Sequence, residues 1–464
     1  MSLPSAVALN AWTGVGAAEG ELRVDASKWG SRPGLAHSQQ ALPFAEPVDP
    51  ADWAHRDVGY GVLLPDSDDP TLSAADKAAA KDAPAAVRDL LAARPGTPVV
   101  RWRADLDGRF LRRYFEDGSS QDPTIGLTKF GVGKGRLPRY LVIVGGPDVV
   151  PWSVQYALST RHCVGRLPLA DDELGNYVDA LLSAWATADV DVTAPVVWDV
   201  DHGGGDITTL MRTTIAAPLA AALADPRLPG FTHITGAASS GAALLAALRA
   251  ARPALLVTSS HGRTGPLDDA AAMRSTLGLP VDAAHADVAL ADLDSAVPAG
   301  AIWYSQACCS AGCDSVSHYT GLLAEGSTAH GVVSAVAGLG ATVAPAASAL
   351  LGRAGPVRAV LGHVEPTFDW TLRVPETGQG LGHEIVTALS SNLHFGQPIG
   401  LAFAAYREGI GELHTQWAGA RQKLNAGDTS VRDTLTRLRL TAIDRQSLVL
   451  LGDPTVTLPA LPGG

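Results

Sequence analysis

The sequence predicts an α/β protein built in three layers, a mostly parallel sheet with helices on both faces, preceded by a smaller α/β subdomain. Two observations lead there. Short apolar runs, PVVWDV at 195–200, LLVTSS at 255–260 and AIWYSQA at 301–307, end abruptly in small or polar residues, as buried parallel strands do where they leave a sheet. Helical stretches at 208–223 and 239–251 alternate with them, and that alternation winds a parallel sheet covered on both sides. Length adds a third constraint, because 464 residues exceed one ordinary core. The chain divides into an N-terminal arm (1–55), a first α/β subdomain (56–192) and a larger α/β subdomain (193–464).

Composition narrows the function classes. With 46% hydrophobic and 18% charged residues the chain is globular, and large-scale disorder is excluded. A net charge of −12 leaves no basic footprint for nucleic acid, while a basic peptide would be attracted. The first 25 residues lack a positive leader and a sustained apolar core, so a cytoplasmic location is expected. The uncharged run 326–352 is long enough to span a bilayer, but Gly and Pro interrupt it, and it reads as a buried strand and a core helix, not a membrane segment. Four cysteines make no disulfide framework. Cys308, Cys309 and Cys313 stand near His318 without the paired spacing of a structural zinc site, so no metal or cofactor is expected. Cys163 reads as an inert buried thiol.

Taken in order, residues 1–55 are rich in Ala, Gly and Pro with scattered Trp and carry no motif; they read as an arm packed on the neighbouring α/β subdomain. VGYGVLL (58–64) and PVVRW (98–102) are strands around an Ala-rich helix at 72–93, which Ser73 and Asp76 open as a capping box. Residues 107–138 include a Gly-rich loop with no GK[ST] behind it, so it is not a phosphate cradle. RYLVIVGGPDVVPW (139–152) is a strand. Further along, Asp171 or Asp172 starts a helix with Leu174, Tyr177, Val178, Leu181 and Leu182 on one side. HGVVSAVAGLGATVAPA (330–346) reads as a strand and a helix, Ile399 to Leu424 as one long amphipathic helix, and SLVLLGDPTVTLP (447–459) as a final strand.

Chemistry gathers beyond the carboxyl ends of strands in open α/β sheets, and here one strand end delivers His261 and another Cys308. A thiol attacks a carbonyl only as thiolate, and an imidazole can take its proton and later protonate a departing amine. Gly262 lets its backbone N–H approach a developing oxyanion without a side chain in the way, and the N–H of Cys308 would be the second donor. Cys309 would face the opposite side of an extended segment, toward the core. Asp199 and Asp201 end the first strand of the larger subdomain and are the candidates to orient His261.

The motif Gln306-Ala307-Cys308, with His261 lying 47 residues upstream, resembles the caspase-type cysteine peptidases; Cys309 departs from that signature. GGPD with VP behind it, then VGRLP and an acidic helix start, and a late LLGDP, resemble the gingipain-type peptidases of the same superfamily. The resemblance implies a caspase-like three-layer catalytic subdomain with a Cys308–His261 dyad and an oxyanion hole at Gly262 and Cys308. It also implies an acid near the first strand end that receives a basic substrate side chain. On that basis Asp201, with Gln306, is assigned to substrate binding, and cleavage after Arg or Lys is expected. The implied activity is an intracellular endopeptidase acting on a protein or peptide, controlled by an activating or inhibitory partner or a signal, in a setting such as bacterial antiviral defence. No nucleic acid or membrane is expected as partner. Two other classes compete: a non-catalytic caspase-fold interaction module, and a cysteine amidohydrolase or transpeptidase acting on a small molecule.

Overall fold

The computed structural model describes residues 5–32, 48–106, 108–374 and 378–462. Ten strands form one sheet, in the spatial order Thr232–Thr235, Val196–Asp199, Leu255–Ser259, Ile302–Gln306, Ala359–His363, Leu448–Gly452, Cys163–Leu167, Tyr140–Val144, Tyr60–Pro65 and Val99–Trp102. The first five are mutually parallel, and so are the last five. The two sets meet where Ala359–His363 runs antiparallel to Leu448–Gly452. Helices cover both faces, so the central strands Leu255–Ser259, Ile302–Gln306, Ala359–His363 and Leu448–Gly452 are buried end to end, and only the edge strand Thr232–Thr235 is partly exposed along its whole length. This is the three-layer, mostly parallel architecture expected.

The GGPD, VGRLP and LLGDP segments brace the half-sheet beside this junction. Arg166 of VGRLP is fully buried and donates to the Gln155 side chain at 2.8 Å and to the carbonyls of Gly145 at 3.0 Å and Pro151 at 3.4 Å. It thereby ties GGPD to VVPW, and burial lowers its pKa to about 9. Gly165 lets this strand press against the last one, since a Cβ there would lie 2.1 Å from the Gly452 carbonyl. Asp453 of LLGDP accepts from the Tyr60 hydroxyl at 2.6 Å and pairs with Arg94 at 3.4 Å. Its N–H donates to the Tyr177 hydroxyl at 2.7 Å, and Tyr177 in turn donates to the Arg358 carbonyl at 2.6 Å.

Several expected elements differ. The helix at 72–93 is two, Ala74–Ala78 and Ala85–Ala93; the capping box at Ser73 and Asp76 forms, but Ala80 at φ +51° and Pro84 break the chain between them. Residues 330–346 hold no core strand: Thr328–Ala337 is a helix and only Thr342–Val343 is extended, because the small Ala and Gly residues suit helix packing and override the β-branched run. The core strand of this region is Ala359–His363, which sequence reasoning missed. The long amphipathic helix breaks at Phe403, leaving Ile399–Ala402 and Ala404–Asn425. Arg432–Gln446 is a helix as polar as a surface element, yet Thr436, Arg439, Thr441, Asp444, Arg445 and Gln446 on it are all buried. Among the described residues no helix is long and apolar enough to cross a membrane.

Part of the N-terminal arm completes the site. Ala6–Trp12 and Ala17–Glu21 form an antiparallel hairpin, and the first of these strands lies over the carboxyl ends of the central strands. It pairs in parallel with Gly262–Arg263 on one side and bridges Phe368 in antiparallel sense on the other. Leu9 and Ala11 are fully buried there.

Candidate active site

The strand Leu255–Ser259 and its neighbour Ile302–Gln306 pair in register, Ser259 opposite Gln306, so the residues just beyond them emerge side by side. Their backbones then touch: a Cβ on Gly262 would lie 2.0 Å from the Cys308 carbonyl oxygen and 2.9 Å from its nitrogen. No side chain fits between them, which gives Gly262 a steric reason to be glycine.

His261 is fully buried. Its Nε2 lies 2.9 Å from Asp206 Oδ2, and its Nδ1 has no hydrogen-bond partner. Asp206 also caps the short helix Ile207–Met211, its Oδ1 accepting from the Thr208 N–H at 2.8 Å and hydroxyl at 2.6 Å. Burial opposes ionisation of Asp206, but the bonds to His261 and Thr208 outweigh it and hold its pKa well below the usual carboxylate value. Sequence reasoning missed this acid, weighing Asp199 and Asp201 instead. The signal was present: Gly203, Gly204 and Gly205 all take positive φ, and this turn folds the chain back before an Asp-x-Thr cap.

Asp199 and Asp201 are engaged elsewhere. Asp199 is fully buried and contacts Arg212 at 3.2 Å, His233 at 2.5 Å and the Thr235 hydroxyl at 2.9 Å. Asp201 accepts from the Thr209 hydroxyl, from the Gly203 N–H at 2.9 Å and from Arg212 at 3.0 Å; the Thr209 bond is foremost in lowering its pKa, with burial acting against it. Neither hydrogen-bonds His261, and Arg212 already supplies the cation that a basic substrate would bring to Asp201.

Cys308 is fully buried. Its sulfur accepts from the Thr367 N–H at 3.1 Å, and its own N–H donates to the Asn10 carbonyl at 3.3 Å. Burial pushes the thiol pKa far up, only partly offset by the Thr367 contacts. Cys309 sits at φ +57° in the same apolar cluster, and burial raises its thiol too. Gln306 keeps its side chain inside: Oε1 accepts from the Tyr304 hydroxyl and faces His363 Nε2 at 3.4 Å. Its carbonyl accepts from the Ser260 N–H at 3.2 Å and from Asn10 Nδ2 at 3.5 Å. Beside it a small cavity is lined by His363, Tyr406 and Asp444 among others. Burial pushes the Asp444 carboxyl up to about 7.

Above His261 the rings are stacked. Trp12 lies 4.0 Å from His285 at an interplanar angle of 6°, His285 lies 4.1 Å from His202, and His202 lies 5.4 Å from His261. Burial first, then repulsion by His261 and His285, lowers the His202 pKa to about 4. Among the described residues no cluster of three His, Cys, Asp or Glu side chains could hold a metal ion.

No family model matches the chain, and no curated protein matches it. Two solved structures resemble it in fold. One is the complex of the pro- and mature domains of RgpB from Porphyromonas gingivalis, at 10% identity and a TM-score of 0.39, over 69% of this chain and 66% of that one, just under two thirds of its length. The other is described as a protease, at 10% identity and a TM-score of 0.48, over 87% of this chain and 79% of that one.

Proposed function

We propose that the chain is a cysteine endopeptidase with Cys308 as nucleophile, His261 as general acid and base, and Asp206 as the residue that positions the imidazole. The observation that carries this reading is the crevice itself. An extended stretch of polypeptide lies across the ends of the catalytic strands, hydrogen-bonded through its backbone on both sides, which is how a peptidase reads a peptide and what a small-molecule amidohydrolase does not need.

The groups present account for each step. His261 Nδ1 takes the thiol proton, and the sulfur bonds to the substrate carbonyl carbon while the oxyanion receives N–H bonds from Cys308 and Gly262. The C–N bond then breaks, and His261 returns the proton to the leaving amine. Water, deprotonated by the same imidazole, hydrolyses the thioester and releases the acid and the thiol. Asp206 on Nε2 keeps the ring oriented and supports its cationic form. A fully covered, high-pKa thiol fits an activity that stays restrained until a partner or signal opens the crevice. Cleavage after a basic residue depended on Asp201, and with Arg212 bound to that carboxylate the expectation loses its support.

The test is prolonged incubation of the full chain with a thiol-directed peptide electrophile and with a peptide library. Labelling and cleavage are expected for the wild type and for Cys309→Ala, and neither for Cys308→Ala. Labelling without cleavage of any peptide would move the reading to a small-molecule enzyme, and cleavage that survives Cys308→Ala would refute the assignment.

A further inference from the structure

We infer that the strand Ala6–Trp12 is an internal substrate mimic that plugs the crevice, with Asn10 at the position of the residue before the scissile bond, so that the site takes polypeptides carrying an uncharged carboxamide residue there. This rests on the peptidase reading above and names its substrate class.

The argument is one of backbone register. The Asn10 carbonyl accepts from the Cys308 N–H at 3.3 Å. Ala11 pairs with Gly262 and Trp12 with Arg263 in a parallel ladder whose next bond, from the Thr264 N–H to the Trp12 carbonyl, measures 3.1 Å. The same ladder two residues earlier sets the Gly262 N–H against the Asn10 carbonyl. Both donors assigned from sequence to an oxyanion hole therefore converge on one peptide oxygen, and it belongs to this chain. On the other side the Asn10 N–H donates to the Thr367 carbonyl at 3.0 Å, while the Thr367 N–H holds the Cys308 sulfur at 3.1 Å. The Asn10–Ala11 peptide is thus fixed from both edges beside the thiol, in the arrangement an extended substrate needs.

The Asn10 side chain is fully buried. It points its amide at the Gln306 carbonyl, 3.5 Å away, and Oδ1 has no protein partner. A neutral carboxamide is tolerated in such a pocket, whereas a buried unpaired guanidinium, ammonium or carboxylate would cost far more. Past the junction, Ala11 is buried and Trp12 covers the histidine stack, so the plug closes both sides of the reacting position.

The experiment loosens the plug in the full chain. Leu9→Asp places a charge in the apolar seat of the strand, and Asn10→Pro removes the N–H held by Thr367; circular dichroism and thermal unfolding check that each variant is folded. Labelling of Cys308 by a small thiol electrophile is expected at least tenfold faster in either folded variant than in the wild type. The peptide AVALNAW, added in trans to Leu9→Asp, is expected to be cut between Asn and Ala, and its Arg and Asp analogues at that position at least tenfold more slowly. Equal labelling of wild type and variants overturns the plug, and peptide cleavage in the same samples then decides the peptidase reading separately. Fast labelling with no peptide cut keeps the plug and defeats the peptidase. Faster cutting of the Arg or Asp analogue overturns the carboxamide preference.

Discussion

Two carboxyl groups near the crevice divide the work by environment. Asp206 is held ionised by His261 and Thr208, while burial keeps Asp444 protonated up to about pH 7. Asp206→Asn retains a good helix cap but loses the charge that supports a cationic imidazole. It is expected to lower kcat by about 10²- to 10⁴-fold, with KM and thermal stability nearly unchanged and activity partly restored in Asp206→Glu. Steady-state kinetics on a cleaved peptide checks this; a proportionate loss of stability would make the residue structural only. For Asp444 the native state binds a proton that the unfolded chain has released above about pH 4. Stability therefore falls as pH rises from about 4 to 7, by up to about 1.4 kcal/mol per pH unit from this group. Denaturant unfolding across that range should show a flatter slope in Asp444→Asn.

At the scale of elements, close approach governs which strands can pair. Gly165→Ala would drive a Cβ into the Gly452 carbonyl and separate the strands Cys163–Leu167 and Leu448–Gly452. A loss of more than about 2 kcal/mol is expected by denaturant titration; a neutral substitution would mean the two strands can shift apart freely. Local pattern revealed the apolar sheet strands and the helices with a clear one-sided face, such as Asp171–Leu182, whose buried side is Leu174, Tyr177, Val178 and Leu181. It failed where tertiary contacts decide. Arg432–Gln446, a helix that sequence reasoning missed, has no one-sided apolar face, yet much of it is buried and its Asp444 finds partners inside, Thr371 and the Phe368 N–H. The strand Ala6–Trp12 carries no motif, since its role comes from where its backbone lies. His261 and Cys308 stood out as candidates because chemistry restricts residue type at strand ends; Asp206, which the structure sets 2.9 Å from His261, did not, because a helix cap and an imidazole partner look alike in one sequence.

For the molecule as a whole, two parallel half-sheets run in opposite directions and meet beside the last strand. Asp453, fully buried beside that junction, ties the last strand to Tyr60, Arg94 and Tyr177 of its own half, and Tyr177 reaches across to the Arg358 carbonyl. Removing it in Asp453→Ala strands the partly buried Arg94 and is expected to cost about 3–5 kcal/mol, read as a large fall in the thermal midpoint; an unchanged midpoint would show that this half of the sheet holds together without it. The half that carries His261 and Cys308 exposes the carboxyl ends of its strands to one crevice, and the chain's own N-terminal strand fills it. The proposed function turns on the sulfur of Cys308 in that crevice. The direct measurement is mass-spectrometric mapping of a peptide electrophile on folded Leu9→Asp protein, paired with its cleavage of AVALNAW. The account predicts modification at Cys308 and a cut after Asn that disappears in Cys308→Ala; modification confined to another cysteine, or a cut that persists without Cys308, would contradict it.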